Sequence, residues 1–206
     1  IGLHAKSQNL NASLELNRYL TQQLKLSPNL ASSVVISKSY YDESAGINHI
    51  YAHQEINGIT VIGGNFALHT ANLKRIDVNQ LMDLGKWSVS SNTASIALKD
   101  AISKCMDDIS YTESKQVTLK TAPAGRDQKT VYSRNESPIW DIPARLVYNV
   151  DKNAKKLVLS WEIQMMDVYK KHYWVFYVNA ATGAIIQKQD IMMHCDFGRP
   201  NKIGRA

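Results

Sequence analysis

Asn57-Gly58 constrains this chain more than any other pair of residues. Both central residues of a type I′ turn need positive φ, and Asn-Gly adopts it at little cost. The flanking text, HIYAHQEINGITVIGGNFALHT over residues 49–70, alternates as strands do. Ile50, Ala52, Gln54 and Ile56 fall on one face, and His49, Tyr51, His53 and Glu55 on the other. Gly63-Gly64 breaks the return strand, which predicts a bulge or a close approach of backbone. Phe66 and Leu68 then resume the alternation. A hairpin with one apolar face needs a partner layer, and the rest of the chain supplies two candidates.

The first is a helix over residues 8–26. Leu16, Tyr19, Leu20 and Leu24 recur at helical spacing, with Leu10 and Leu14 before them. Ser27-Pro28-Asn29 reads as its end. Residues 33–42 are β-branched and aromatic and predict a strand, and another is expected around Leu73–Val78. The second helix is expected to start at Ser91–Thr93. Ala94, Ala97, Leu98, Ala101, Ile102, Cys105 and Ile109 form its apolar stripe. Cys105 lies on that stripe and reads as a small buried hydrophobe.

Residues 110–140 read as irregular, with at most a strand at 117–120. From residue 142 a four-stranded meander is expected with one face on a core. Leu146, Tyr148 and Val150 alternate, then Leu157, Leu159, Trp161, Ile163 and Met165, then Trp174, Phe176 and Val178, and Thr182-Gly183 turns into the last strand. The tail from His194 reads as a linker. The order predicts an α+β fold of two units, each packing one helix on an antiparallel sheet, with a boundary near residues 80–92.

Composition enters through charge. The chain has 206 residues, 24 Lys and Arg against 18 Asp and Glu, and a net charge of +6. These charges are scattered, with pairs such as Lys155-Lys156 and no basic stripe, so no nucleic-acid partner is expected. No run of about 18 apolar residues occurs, so no membrane span is expected. The start, IGLHAKSQNL, does not read as a signal peptide, although a mature secreted protein also begins without one. Two cysteines, Cys105 and Cys195, make neither a disulfide framework nor a zinc motif.

The search for chemistry returns no HExxH, no GxSxG, no phosphate-binding glycine loop and no GxGxxG. His49 and His53 share a strand face but stand roughly 13 Å apart at ~3.3 Å per residue, too far for one ion. His194 and Cys195 are adjacent and point apart, which disfavours a dyad. Asp42-Glu43 and Asp107-Asp108 read as solvated pairs, and Asn11 and Asn135 begin glycosylation sequons. No catalytic, cofactor or metal residue is assigned, and the chain is expected not to be an enzyme.

Residues 33–70 resemble the fungalysin/thermolysin propeptide (FTP) domain. Ile50, Gln54, Asn57, Gly58, Val61, Gly63 and Gly64 carry that resemblance. The second half is similar to the PepSY-like part of the same propeptides, through Leu159, Trp161 and Glu162 and through Tyr177–Ile185 with its Thr182-Gly183 turn. Asn179 replaces the usual Asp and keeps the turn chemistry. The resemblance divides the chain into an FTP-like domain at 1–85, a PepSY-like domain at 86–192 and a tail at 193–206. It implies the pro-region of a secreted or periplasmic fungalysin-type zinc metallopeptidase. Such a pro-region is chaperone and inhibitor to its peptidase in cis until it is cleaved. His194 and Cys195 could meet the peptidase's zinc, because imidazole and thiolate suit that ion. A Cys105–Cys195 disulfide is the competing use of the tail cysteine. Two other functional readings stand beside this one: a free-standing secreted domain that binds or inhibits peptidases in trans, and a hydrolase of unrecognised site.

Overall fold

A computed structural model describes residues 12–71, 74–79, 81–111, 116–125, 127–134, 141–167 and 171–192. The tail with His194 and Cys195, the start of the first helix with Leu10, and both sequon asparagines lie outside the described residues.

The first helix, α1, is α-helical over residues 12–18 and ends in a π-helical turn, Tyr19–Gln23. Leu24 N–H reaches back five residues to the Tyr19 carbonyl at 3.1 Å, and Lys25 leaves the helix at φ 52°. The helix does end ahead of Ser27-Pro28, as expected, but that segment is also a start. Ser27 caps a second short helix, α2 (Pro28–Ser32), by accepting from Leu30 N–H. A serine followed by a proline at the first helical position suits a helix N-terminus as well as a helix end.

Four strands follow: β1 (Val34–Asp42), β2 (Ile47–Ile56), β3 (Ile59–Ala71) and β4 (Lys74–Asn79). All three successive pairings are antiparallel. The inward residues Ile50, Ala52, Phe66 and Leu68 bury themselves against Leu16, Tyr19 and Leu20 of α1. Glu15 ties the helix to the sheet: its carboxylate accepts from Asn48 Nδ2 at 2.8 Å and from the Thr70 hydroxyl.

After a two-residue strand β5 (Ser88–Val89), the second long helix is α3 (Leu98–Asp108). It begins later than the sequence predicts. Residues 91–97 stay irregular because neighbours hold their backbone. Ser95 and Ile96 N–H both donate to the Ala180 carbonyl at 2.9 Å. Trp161 Nε1 donates to the Ile96 carbonyl, and the Tyr148 hydroxyl to that of Ser91. These tertiary bonds replace those a further helical turn would make.

The region read as irregular contains a hairpin, β6 (Thr118–Ala124) and β7 (Lys129–Ser133). Every residue of β6 is exposed, so no alternation marks it in the sequence. The expected meander is present as β8 (Asp141–Asp151), β9 (Lys156–Asp167), β10 (His172–Asn179) and β11 (Ile185–Asp190). Its inner face closes on α3 through Ile142, Ile163, Met165, Phe176 and Val178, packed with Ala101, Ile102, Cys105 and Met106.

The chain is thus mixed α+β, with few helices and a large sheet. One sheet path runs β1-β2-β3-β8-β9-β10-β11. The join is a short parallel pairing of β3 with β8, Thr60 opposite Val147 and Val61 opposite Tyr148. Hydrogen bonding therefore continues from one half of the chain to the other. A third core lies at this seam, formed by Val61, Tyr148, Leu157, Leu159 and Ala180.

Candidate functional site

The Asn57-Gly58 turn forms as the sequence predicts, with φ 52° and 76°. Behind it, pairing of β2 with β3 jumps from Glu55–Thr60 to His53–Asn65. Gln54 alone spans that interval on β2, while residues 61–64 span it on β3. Gly63 sits in this bulge at φ 87°. The bulge turns Thr60 and Val61 towards β8, while residues 66–71 pair with β4.

Gln54 occupies the space so created. Its side chain is completely buried. Its Nε2 donates to the Met82 carbonyl at 2.9 Å, and its Oε1 accepts from Met82 N–H at 2.7 Å. This amide clamps the segment after β4 onto the back of β2. Gly64 leaves the room for it. A Cβ at Gly64 would stand 2.8 Å from Gln54 Oε1 and 3.0 Å from its Cβ. Val61, fully buried, fills the seam core below.

The second group of motif residues is also structural. Trp161 packs against both the α3 core and the seam core and is anchored through its indole N–H. In the turn between β10 and β11, the Asn179 side chain accepts from Ala181 and Thr182 N–H, and the Thr182 hydroxyl from Ala184 N–H. The asparagine oxygen therefore makes the turn bonds an aspartate would make. Gly183 at φ 74° sits beside α3, and a Cβ there would come within 2.7 Å of Lys104 Cε.

The outer faces carry most of the polar chemistry. On the meander, Glu162 is nearly buried, pairs with Arg145 Nε at 3.0 Å and accepts from the Tyr177 hydroxyl at 3.4 Å. Burial, with the charge of Glu162 next, pushes the Tyr177 hydroxyl up to about 12. At the end of β11 the Asp190 carboxyl is held down at about 2, chiefly by Met192 N–H and then by His172. His172 Nδ1 lies 2.6 Å from it. Cys105 is fully buried, and desolvation raises its thiol to about 12. Such a thiol is inert. Of the paired carboxylates, Asp42 holds its own turn by accepting from Ser44 and Ala45, and Asp108 pairs with Lys188 at 2.7 Å.

On the outer face of the first hairpin, His53 turns to Glu55 at 2.8 Å. His49 meets His69 across the strands instead, Nδ1 to Nδ1 at 2.8 Å. Periodicity along one strand does not reveal that pair, because it depends on the register of β3 against β2. Among the described residues, no group of three or more His, Cys, Asp and Glu comes together as a metal centre, and no helix is long and apolar enough to cross a membrane.

Residues 32–77 match the family model for the Fungalysin/Thermolysin Propeptide Motif. The match contains Gln54, Asn57, Gly58, Val61, Gly63 and Gly64, the residues of the bulge and clamp. No curated protein matches the chain. Among solved structures, the C-terminal domain of YpeB from Bacillus megaterium is similar at 11% identity and a TM-score of 0.39. That alignment covers 88% of this chain and 64% of the other, so the chain spans less than two thirds of that structure's length.

Proposed function

We propose that the chain is the non-catalytic pro-region of a secreted or periplasmic zinc metallopeptidase of the fungalysin type, acting in cis as chaperone and inhibitor. The observation that carries this reading is the propeptide motif over residues 32–77. The division into an FTP-like unit at 1–85, a PepSY-like unit at 86–192 and a connecting tail at 193–206 belongs to the same proposal. The motif residues support a scaffold role, since the side chains of Gln54, Val61 and Trp161 face other parts of this chain and Gly183 lies close against Lys104.

The physical logic is linkage. A pro-region that binds the folded peptidase and not its unfolded chain stabilises the folded form by mass action. Tethering raises its effective concentration, so moderate contacts inhibit, and cutting the tether removes that advantage. The contact surface is assigned to the tail, where His194 and Cys195 could occupy the open zinc position, and to the exposed sheet face.

The test has two parts. The reading frame beyond Ala206 is expected to continue into a domain with HExxH; a stop codon there favours action in trans. The isolated chain, added to the mature peptidase, is expected to inhibit it and to raise its refolding yield. Absence of both effects overturns the pro-region reading. Cys195→Ser with unchanged inhibition removes the thiolate from the zinc-contact proposal, and His194→Gln tests the imidazole in the same way. Non-reducing mass spectrometry decides the Cys105–Cys195 disulfide.

A further inference from the structure

The histidine pair on the outer face of the first hairpin holds two ring nitrogens at a separation that one metal ion can bridge. His49 and His69 are direct cross-strand partners in the register of β2 and β3. Their Nδ1 atoms are 2.8 Å apart and their ring centroids 4.8 Å apart. Both rings are half-buried. Each is braced by an aromatic neighbour. Tyr40 stacks on His49 at 4.7 Å and 12°, and Tyr51 meets the edge of His69 at 5.6 Å and 75°. Tyr40 and Tyr51 in turn stack on each other at 6.3 Å and 23°. Aromatic bracing on a rigid hairpin fixes the two nitrogens before any ligand arrives.

From this geometry we propose that His49 and His69 bind one copper(II) ion through both Nδ1 atoms. At ~2.0 Å from each nitrogen, a separation of 2.8 Å subtends roughly 90° at the ion. That is the angle between neighbouring ligands in square-planar or tetragonal coordination, which copper(II) favours. A tetrahedral zinc site opens the angle and needs the nitrogens roughly 3.3 Å apart, so zinc fits the pair less well. Copper(II) also stands highest in intrinsic affinity for nitrogen sites among the first-row divalent ions. Among the described residues no third His, Cys, Asp or Glu joins the pair, so water completes the coordination. Without metal, one Nδ1–H donates to the other nitrogen. On binding, that proton moves to Nε2 of the same ring, which stays neutral. His53 takes no part, being engaged with Glu55.

This site is independent of the pro-region proposal, and its test uses the chain alone. Copper(II) is titrated into the full-length protein in a non-chelating buffer while histidine ring signals are followed by NMR. Substoichiometric copper is expected to broaden the His49 and His69 signals first, before those of His53 and His172. His49→Gln and His69→Gln are each expected to lower affinity at this site on the order of 100-fold, by loss of the second tethered ligand. His53→Gln is expected to leave it unchanged. Sharp His49 and His69 signals at one equivalent of copper overturn the proposal. That readout needs no variant and therefore decides the matter even if a substitution perturbs folding. Correctly folded His49→Gln and His69→Gln variants that bind as tightly as the parent overturn it equally.

Discussion

Gln54 and Gly64 act as one device. The glutamine bridges β2 to Met82 because the glycine has no Cβ to obstruct it. Gln54→Ala strands the Met82 N–H and carbonyl, and is expected to cost about 2–4 kcal/mol in urea unfolding. Gly64→Ala pushes a methyl against the Gln54 side chain and is expected to cost about 1–3 kcal/mol. The two effects should not add. With Gln54 cut back to alanine, the added methyl at position 64 loses most of its clash, and a double-mutant cycle should show coupling. Cys105 gives a second residue-level prediction. Its thiol is buried and titrates far above neutrality, so iodoacetamide at pH 8 should leave it unmodified in the native chain and alkylate it in denaturant. Peptide mapping by mass spectrometry reads the outcome.

At the scale of elements, the meander strands are linked by groups that titrate at the two ends of the pH range. Asp190 is depressed when folded, so the stability it contributes is present above the ordinary carboxylate range and is lost as pH falls towards about 2. Tyr177 is raised when folded. Its contribution is therefore complete below about pH 10 and is lost as pH rises towards about 12. Unfolding measured across pH should show both flanks, with Asp190→Asn flattening the acid side and Tyr177→Phe the alkaline side. The helices and the β6–β7 hairpin show how far local pattern reaches. The stripe of α3 was legible, but its start was not, because bonds from Ser95 and Ile96 to Ala180 depend on a distant turn. Of the β6–β7 hairpin, the strand expected at 117–120 is the start of β6; its full length and its pairing with β7 were not legible, because a strand with both faces exposed carries no alternation.

At the scale of the whole molecule, the parallel β3–β8 pairing and the seam core couple the two halves of the chain. Val61 stands in that core, fully buried against Tyr148 and Leu159. Calorimetry is expected to give one transition, with matching calorimetric and van't Hoff enthalpies. Val61→Ala should destabilise by about 1–2 kcal/mol and lower the melting of both halves together. Two separate transitions would show instead that the halves melt as independent units.

Local chemistry alone determined much of this protein. The Asn57-Gly58 turn, the inward faces of β2, β8 and β9, the apolar stripe of α3 and the glycine bulge all follow from backbone preference and side-chain period, which need no knowledge of distant neighbours. The propeptide motif was readable for the same reason, since its residues make a turn and a bulge that lie close together in the chain. Three features were settled only by tertiary structure: what Gln54 holds, where β3 meets β8, and which histidine faces His49. Each joins residues distant in sequence, the first through a side-chain amide and the other two through a strand register. Register is set by the packing of whole strands, and it brought His69, rather than His53, to within 2.8 Å of His49.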